Sequence, residues 1–600
     1  MTATTQSCTH EFPLPAYEDA PGEPSERSYL LGPDDLGVDD GSWTCPHEAA
    51  PGQSKCVFHL DPDERPPDCD ITRAFINQVS AANQYDDLET RRRHRQFIDA
   101  TFDHFAPEST VIGGQARGYI DCRHASFHHV DCERTEFEQH VRFDHATFGP
   151  PDTEETLANA ATAEVRFRRA VFHYNAAFSK AEFREAANFR GAQFHNWTGF
   201  RWARFRSTAD FEWATFHDVT LAPGAQFEAE AQFRAVGFED YVSFTGARFE
   251  ATATYDLARF ADDADFPEAH FAGATFHEAE FGRAVDLSAA KITAPLRLDD
   301  ITVATELEAE SLQIGAPVRL DGADLAGITI APTVADNEAD KAYVRLANAA
   351  ISTGRFDQPD TGLTVYDVSL ATLGDVGFHG PSSGPLYQRI LFNRTRFDGF
   401  DFSDGDDLDA EAVSHKIHTL GEAAKTAVPE EHDRSFTPED RWATYLYAKN
   451  GADAAGDNVS AGAFFYKEMV YRRHAHWARM RTDEPRSVTD RARDLTKWGR
   501  NLVLGGVTGY GEKPDRVVYT SLAVILGFTP LYGLTAASRP PDASAMEYLA
   551  LSIQTYVSFV LGQPPGSFTL LGEIISAAEA FIGAFLVALF VFTLTRRVNR

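Results

Sequence analysis

The sequence predicts a mainly β solenoid, followed by an α-helical connector and a two-transmembrane-helix unit with a shorter re-entrant helix between its spans. Three observations predict it. From Phe97 to Leu325 a phenylalanine or its equivalent recurs about every five or six residues. Between Lys467 and Arg516 basic residues outnumber acidic ones, against the trend of the whole chain. Two apolar spans, 517–537 and 574–594, close the sequence with an amphipathic stretch, 548–559, between them. The 600 residues then divide into an N-terminal segment 1–94, a solenoid 95–410, a connector 411–504 and a membrane unit 505–600.

The ladder is clearest at Phe167, Phe172, Phe178, Phe183, Phe189, Phe194, Phe200, Phe205, Phe211 and Phe216. It resumes at Phe227, runs to Phe281, and fades into Leu287, Ile292, Leu298 and Val303. Two residues before most rungs stands a small residue such as Ala203, Ala209 or Ala214, and the residue between is polar. In extended backbone this places the small and aromatic side chains on one face. A turn after each triplet returns the next one to the same interior, so the chain coils as a square solenoid with alanine giving room at the corners. Four sides take about twenty-two residues, giving roughly ten coils about 50 Å long at the strand spacing of ~4.8 Å. Each buried phenylalanine contributes on the order of 1.5–3 kcal/mol, and stacked coils share one continuous core. An eleven-residue repeat also suits a right-handed coiled coil, but residues two apart lie on different faces of a helix.

These residues resemble pentapeptide-repeat proteins. The resemblance implies a right-handed quadrilateral β-helix serving as a scaffold or interaction surface; it implies no activity. Cys122 and Cys132 fall in step with Phe127 and Phe137 and read as small buried apolar residues. Residues 149–161 and 331–341 read as loops. Period-five spacing returns over 365–378 and 390–402, with Phe392, Phe397 and Phe402, so the solenoid is expected to end near Ser403.

Ahead of the ladder, Cys8, Cys45, Cys56 and His59 form a candidate metal set. Cys56-Val57-Phe58-His59 has the short spacing that lets two side chains reach one tetrahedral ion, and Cys8 and Cys45 complete a three-sulfur, one-nitrogen shell suited to structural zinc. His10 and His47 are reserve ligands. In a weakly hydrophobic segment, a metal would supply much of the folding energy.

The formal net charge is -34, and lysine is scarce beside arginine. That composition suits a protein soluble in high salt, a halophilic trait, and argues against nucleic acid as a partner. Six cysteines in 600 residues do not make a disulfide framework. Residues 1–12 are polar and lack the apolar core of a signal peptide.

Thr437-Pro438-Glu439-Asp440 marks a helix start, with a hydroxyl cap, proline in the first turn and acids at the positive dipole end. That helix is expected to reach about Asn450, with Gly451 and Gly456 flanking a turn. A second helix carrying Phe464, Phe465, Met469 and Tyr471 ends near Met480, completing an αα-hairpin. The basic stretch that follows, with Leu495, Trp498 and Leu502 along one face, suits a helix lying on an anionic bilayer.

Both terminal spans exceed the ~18 residues that mark a membrane-crossing helix. Arg516 precedes the first, and Arg596, Arg597 and Arg600 follow the second; the connection between them carries only Arg539. The positive-inside rule places both termini in the cytoplasm. Here the sequence resembles two-helix channels of the potassium-channel superfamily. Ser552-Ile553-Gln554-Thr555-Tyr556 matches the end of a pore helix, and Glu579-Ala580-Phe581-Ile582-Gly583 matches an inner helix with a hinge-like glycine. The resemblance implies a homo-tetramer with its filter at Thr555, Ser558, Phe559, Val560, Leu561 and Gly562. The filter departs from the family's Thr-Val-Gly-Tyr-Gly, since Val560 replaces a glycine and Gln563 an aspartate. Gly509-Tyr510-Gly511-Glu512 precedes the first span and reads as a turn. Glu579 is expected to support the pore helix, with Gln554 as its candidate partner.

The sequence carries no Walker loop, nucleophile elbow or His-Glu-x-x-His pair, so no enzyme is expected. Two readings stand. One is a tetrameric cation channel with a large cytoplasmic scaffold or sensor that meets an unidentified protein or ligand. The other is a non-conducting, membrane-anchored interaction protein.

Overall fold

Each phenylalanine of the ladder stacks on the one a full coil away, and this repetition builds the solenoid. The computed structural model describes residues 6–13, 41–114, 118–151, 164–334, 341–380, 386–402, 416–432, 435–481, 487–535, 544–562 and 569–598. In one column of parallel two-residue strands, Val171–Phe172 pairs with Gln193–Phe194, which pairs with Thr215–Phe216. A second column carries Glu182–Phe183, Arg204–Phe205 and Gln226–Phe227 in the same register. Alanine-rich strands make the other two sides, with Ala187 opposite Ala209 and Ala176 opposite Thr198. The β-solenoid has about 12 turns. Phe172, Phe194 and Phe216 stack at centroid distances of 4.8 and 4.6 Å. Rings from neighbouring sides meet edge to face, as Phe189 and Phe200 do at 5.9 Å and 82°.

The corner residues explain the alanines. The Ala203 amide donates to the Phe200 carbonyl at 2.9 Å, closing a β-turn whose third residue, Trp202, has φ 53°. The same turn recurs about eleven residues on, where Ala214 donates to Phe211 and Trp213 has φ 57°. Alanine, the fourth residue of each turn, points inward and is fully buried between phenylalanines. Glycine takes the positive-φ position at Gly191 and Gly224, but most such corners hold ordinary residues.

Later coils depart from the two-residue rung. Leu307–Ile314, Asp324–Val334, Ala350–Asp357 and Thr372–His379 are long strands. Leu307–Ile314 pairs with Val285–Asp286 at one end and with Lys291–Ile292 at the other, so a single strand rounds a corner. This corrects the loop expected over 331–341. Residues 331–334 are strand and Lys341 begins the next one, while 335–340 lie outside the described residues. Of the loop expected over 149–161, residues 152–161 also lie outside, as does Ser403.

A short helix closes the first coil. Helix α1, Ile71–Ala81, is capped by Asp70, whose side chain accepts from the Arg73 amide, and buries Ile71, Phe75 and Val79. The Phe75 ring lies 4.5 Å from Phe97 and 5.1 Å from Phe105. It covers aromatic surface that the end of a stack would leave in water. Helix α2, Leu88–Arg93, follows, capped by Asp87.

The chain divides into two compact units, Met1–Ile390 with Gly421–Val428, and Leu391–Leu420 with Pro429–Arg600. The first contains the N-terminal segment and the solenoid; the second contains the connector and the apolar helices. Phe392, Phe397 and Phe402 fall in the second unit, where Phe402 packs on Phe464 at 4.8 Å.

In that unit α3, Pro438–Ala455, begins with a capping box between Thr437 and Asp440 and ends at Gly456 with φ 82°. It runs past the expected turn because Gly451 is a packing residue: a Cβ there would stand 2.4 Å from Phe397 Cβ. Helix α4, Asn458–Arg481, folds back along it, with Tyr445 and Tyr471 stacked at 5.3 Å. Helix α5, Val488–Thr508, leaves Leu495 and Leu502 exposed and brings Trp498 to 5.2 Å from Trp477. Gly509–Gly511 forms the expected turn into α6, Pro514–Thr535, followed by α7, Ala545–Leu561, and α8, Leu570–Val598.

Candidate metal centre and membrane helices

Two short strands bring the first two cysteines together. Glu11–Pro13 pairs antiparallel with Ser42–Thr44, and the Cys8 and Cys45 amides donate to the His47 and His10 carbonyls at 2.9 and 3.0 Å. Cys56 and His59 lie on one turn, closed by the His59 amide donating to the Cys56 carbonyl at 3.0 Å. The ligand atoms of Cys8, Cys45, Cys56 and His59 all lie within 4.8 Å of one another, and all four residues are buried. Cys45 and Cys56 Sγ are 3.7 Å apart, and His59 Nδ1 is 3.1 Å from Cys56 Sγ and 4.0 Å from Cys8 Sγ.

His59 Nε2 lies 2.9 Å from the Ile98 carbonyl oxygen. A carbonyl only accepts, so Nε2 carries the proton and the Nδ1 lone pair faces the sulfurs. The Cys56 amide donates to Cys8 Sγ at 3.2 Å. Hydrogen bonds from Cys45 and Cys56 hold the Cys8 thiol far below the ordinary range, so a thiolate is favoured at the centre of the cluster. The hydrogen bond with Cys56, and then that with Cys8, push the Cys45 thiol up. Three thiols and one imidazole nitrogen in this arrangement can hold a metal such as zinc.

The reserve ligands stand beside the cluster. The His10 ring stacks on His59 at 4.0 Å and its Nε2 meets Asp99 Oδ2 at 3.0 Å. His47 packs between Phe58 and Phe97, and burial lowers its pKa to about 4. Cys122 and Cys132 are fully buried in the solenoid, with thiols pushed well up by desolvation, as their place in the ladder implies.

Two helical stretches, Pro514–Leu534 and Leu570–Thr595, are long and apolar enough to cross a membrane, with mean hydropathies of 1.6 and 2.3. Only 11% and 22% of these stretches is buried, whereas a soluble core helix would be mostly buried. Glu579 belongs to the buried minority, with no exposed surface. Tyr532 of α6 donates its hydroxyl to Glu579 Oε2 at 2.6 Å. Ser552 of α7 lies 2.5 Å from Glu579 Oε1 and 2.9 Å from the Ile525 carbonyl, so its one proton serves either acceptor. The partner on α7 is therefore Ser552, two residues before the expected Gln554, which is exposed on another face of the helix.

Gly583 also takes a different role. A Cβ there would stand 2.2 Å from the Tyr556 carbonyl oxygen, so this glycine lets α8 approach the α7 backbone, and α8 is one unbroken helix. Thr555 is fully buried and Ser558 nearly so. Helix α7 continues through Leu561 to Gly562, which has φ 108°, so Ser558-Phe559-Val560-Leu561 is helical where a filter of backbone carbonyls is extended. The side chains of Phe559, Val560 and Leu561 lie outside the described part of the structure, as do Arg539, Gln563 and Arg600.

Sequence reasoning missed Tyr532, and placed Ser552 on the pore helix without its bond to Glu579. It also missed the junction below α6, where Arg516 donates to the Gly505 carbonyl at 2.6 Å and to the Tyr466 hydroxyl at 2.9 Å. Hydroxyl-bearing residues within apolar helices were the available signal, since hydroxyls in such surroundings seek partners.

Residues 178–223 match a family model described as pentapeptide repeats in nine copies. No curated protein matches the chain. The matched segment lies where the Phe stack is most regular, and the chain carries a pentapeptide-repeat β-solenoid joined to a helical region with two candidate membrane helices.

Proposed function

We propose that the protein is a cation channel of two-span type, assembled as a homo-tetramer in the cell membrane, with both termini cytoplasmic and the solenoid acting as a scaffold or sensor for a cytoplasmic protein or ligand. It performs no covalent chemistry. The observation that carries this reading is Glu579, buried within the second apolar stretch and bonded to Tyr532 on the first and to Ser552 on the intervening helix. An ionisable group there is costly and is kept where it serves a pathway or braces one. Here it braces α7 between the spans, the arrangement a pore helix needs. The amphipathic α5, with Leu495 and Leu502 exposed beside a basic face, supports contact with anionic lipid before the first span.

A second reading is a non-conducting membrane anchor that keeps this helix arrangement. The helical path through Leu561, with Val560 in place of a filter glycine, favours it. Purified full-length protein in planar bilayers separates the two. Channel function predicts steady cation currents that vanish in Gly562→Asp while the variant still elutes with the native oligomer. Sealed bilayers holding well-formed oligomers would reject conduction and leave the anchor.

A further inference from the structure

We propose that Cys8, Cys45, Cys56 and His59 bind one zinc ion, and that the ion fastens the N-terminal hairpin onto the first coil of the solenoid. In a tetrahedral shell with Zn–S near 2.3 Å and Zn–N near 2.0–2.1 Å, sulfurs stand about 3.8 Å apart and sulfur stands about 3.5 Å from nitrogen. Cys45 and Cys56 match the first value at 3.7 Å, and the 3.1 and 4.0 Å from His59 Nδ1 to Cys56 and Cys8 bracket the second. The side chains converge before any ion is added. The Ile98 carbonyl on His59 Nε2 supplies the outer-shell bond that fixes a metal-bound imidazole in one tautomer.

The fastening follows from which residues touch the cluster. His59 holds the Ile98 carbonyl, Trp43 Nε1 donates to Gln96 Oε1 at 2.9 Å, and His10 meets Asp99. The Thr101 amide, which opens the first rung, donates to the Phe58 carbonyl at 2.9 Å, between Cys56 and His59 in sequence. All of these contacts reach the single stretch 96–101. Among the described residues the hairpin has two three-residue strands, too few for independent stability. Zinc tying Cys8 and Cys45 to Cys56 and His59 converts this weak pairing into a cap. The shell leaves no position for water, so the role is structural.

Full-length protein purified in detergent without chelator tests both parts. Elemental analysis is expected to return about one zinc per chain, and cobalt in its place to give thiolate charge-transfer absorption and strong visible bands of tetrahedral symmetry. Cys56→Ser should lose the metal and Cys69→Ser, outside the cluster, should keep it. On stripping zinc, hydrogen exchange at the Thr101 amide should speed at least about tenfold while residues 178–223 keep their protection. Absence of zinc together with no cobalt spectrum in the reduced protein, or a Cys45–Cys56 disulfide in its place, would overturn the site. Zinc that leaves without changing exchange over 96–101 would overturn the fastening.

Discussion

Phe189 and Phe581 are the same side chain in opposite places. Phe189 has no exposed surface and lies between Phe167 and Phe211 at 4.9 Å from each, while Phe581 on α8 is 71% exposed. Phe585 and Phe592 are also exposed, and two residues from Phe581 the carboxylate of Glu579 is fully buried. The solenoid drives apolar rings away from water, and its interior is aromatic. Helices α6 and α8 present apolar side chains outward, as helices do where the surroundings are acyl chains. Among α6, α7 and α8 an apolar cluster around Val517, Tyr556 and Leu586 is joined by the bonds of Tyr532 and Ser552 to Glu579 and by Gly583 pressed against Tyr556. A phenylalanine's position is thus informative only once the medium around it is known.

Removing one ring from each place gives the sharpest contrast. Phe211→Ala should cost about 3–5 kcal/mol of local stability, because its cavity opens between Phe189 and Phe233. Phe581→Ala should cost less than about 1 kcal/mol, as surface substitutions do. Hydrogen exchange read coil by coil for the first, and unfolding in mixed micelles for the second, measure the two; equal costs would break the comparison. Next comes the carboxylate. Glu579→Leu should destabilise the apolar helices by about 1–3 kcal/mol, because the Tyr532 and Ser552 hydroxyls lose their acceptor. Glu579→Gln, which still accepts at one oxygen, should cost less in the same unfolding titration.

Gly583→Leu should weaken the α7–α8 contact by about 1–3 kcal/mol, since the added side chain meets the Tyr556 backbone. Gly562→Ala has nothing within 4 Å of its Cβ and bears only the strain of φ 108°. If the two substitutions cost the same, Gly583 is not a contact residue. The smallest effect concerns acid. Burial, and then the neighbouring His124, lower the His145 pKa to about 3; burial also lowers that of His124, stacked on it at 4.6 Å. Both are neutral in the fold. Their contribution is whole above the ordinary histidine value of 6.5 and declines as pH falls toward about 3. Between pH 7 and pH 5 the coils over 122–148 should therefore lose stability, seen as faster exchange after correction for its intrinsic pH dependence. His145→Phe should flatten that loss.

The solenoid was legible because a side chain repeated at fixed spacing reports burial many times over. The four metal-site residues were legible because Cys56 and His59 are close in sequence, yet only the strand pairing of 11–13 with 42–44 brings Cys8 and Cys45 beside them. The cap formed by α1 was overlooked, although Asp70 and the four-residue spacing of Ile71, Phe75 and Val79 announce a short amphipathic helix. Gly451 reads as the edge of a turn and Gly583 as a hinge in the sequence because a glycine's use depends on what lies opposite, Phe397 in one case and Tyr556 in the other. The long strands of 307–379 escaped notice since Leu, Ile and Val carry a weaker period than phenylalanine. The filter region was judged by alignment of a few residues, which says little about where a helix ends.

The positive-φ corner leaves the solenoid's outer edge open to rewriting. Lys180, Trp202, Trp213, Leu257 and Glu268 occupy that one backbone geometry, and Trp213 and Leu257 are more than two-fifths exposed there. Since neither charge, bulk nor polarity decides who may stand in it, the rim can acquire new surface chemistry one residue at a time, while the aromatic pile behind it keeps its spelling.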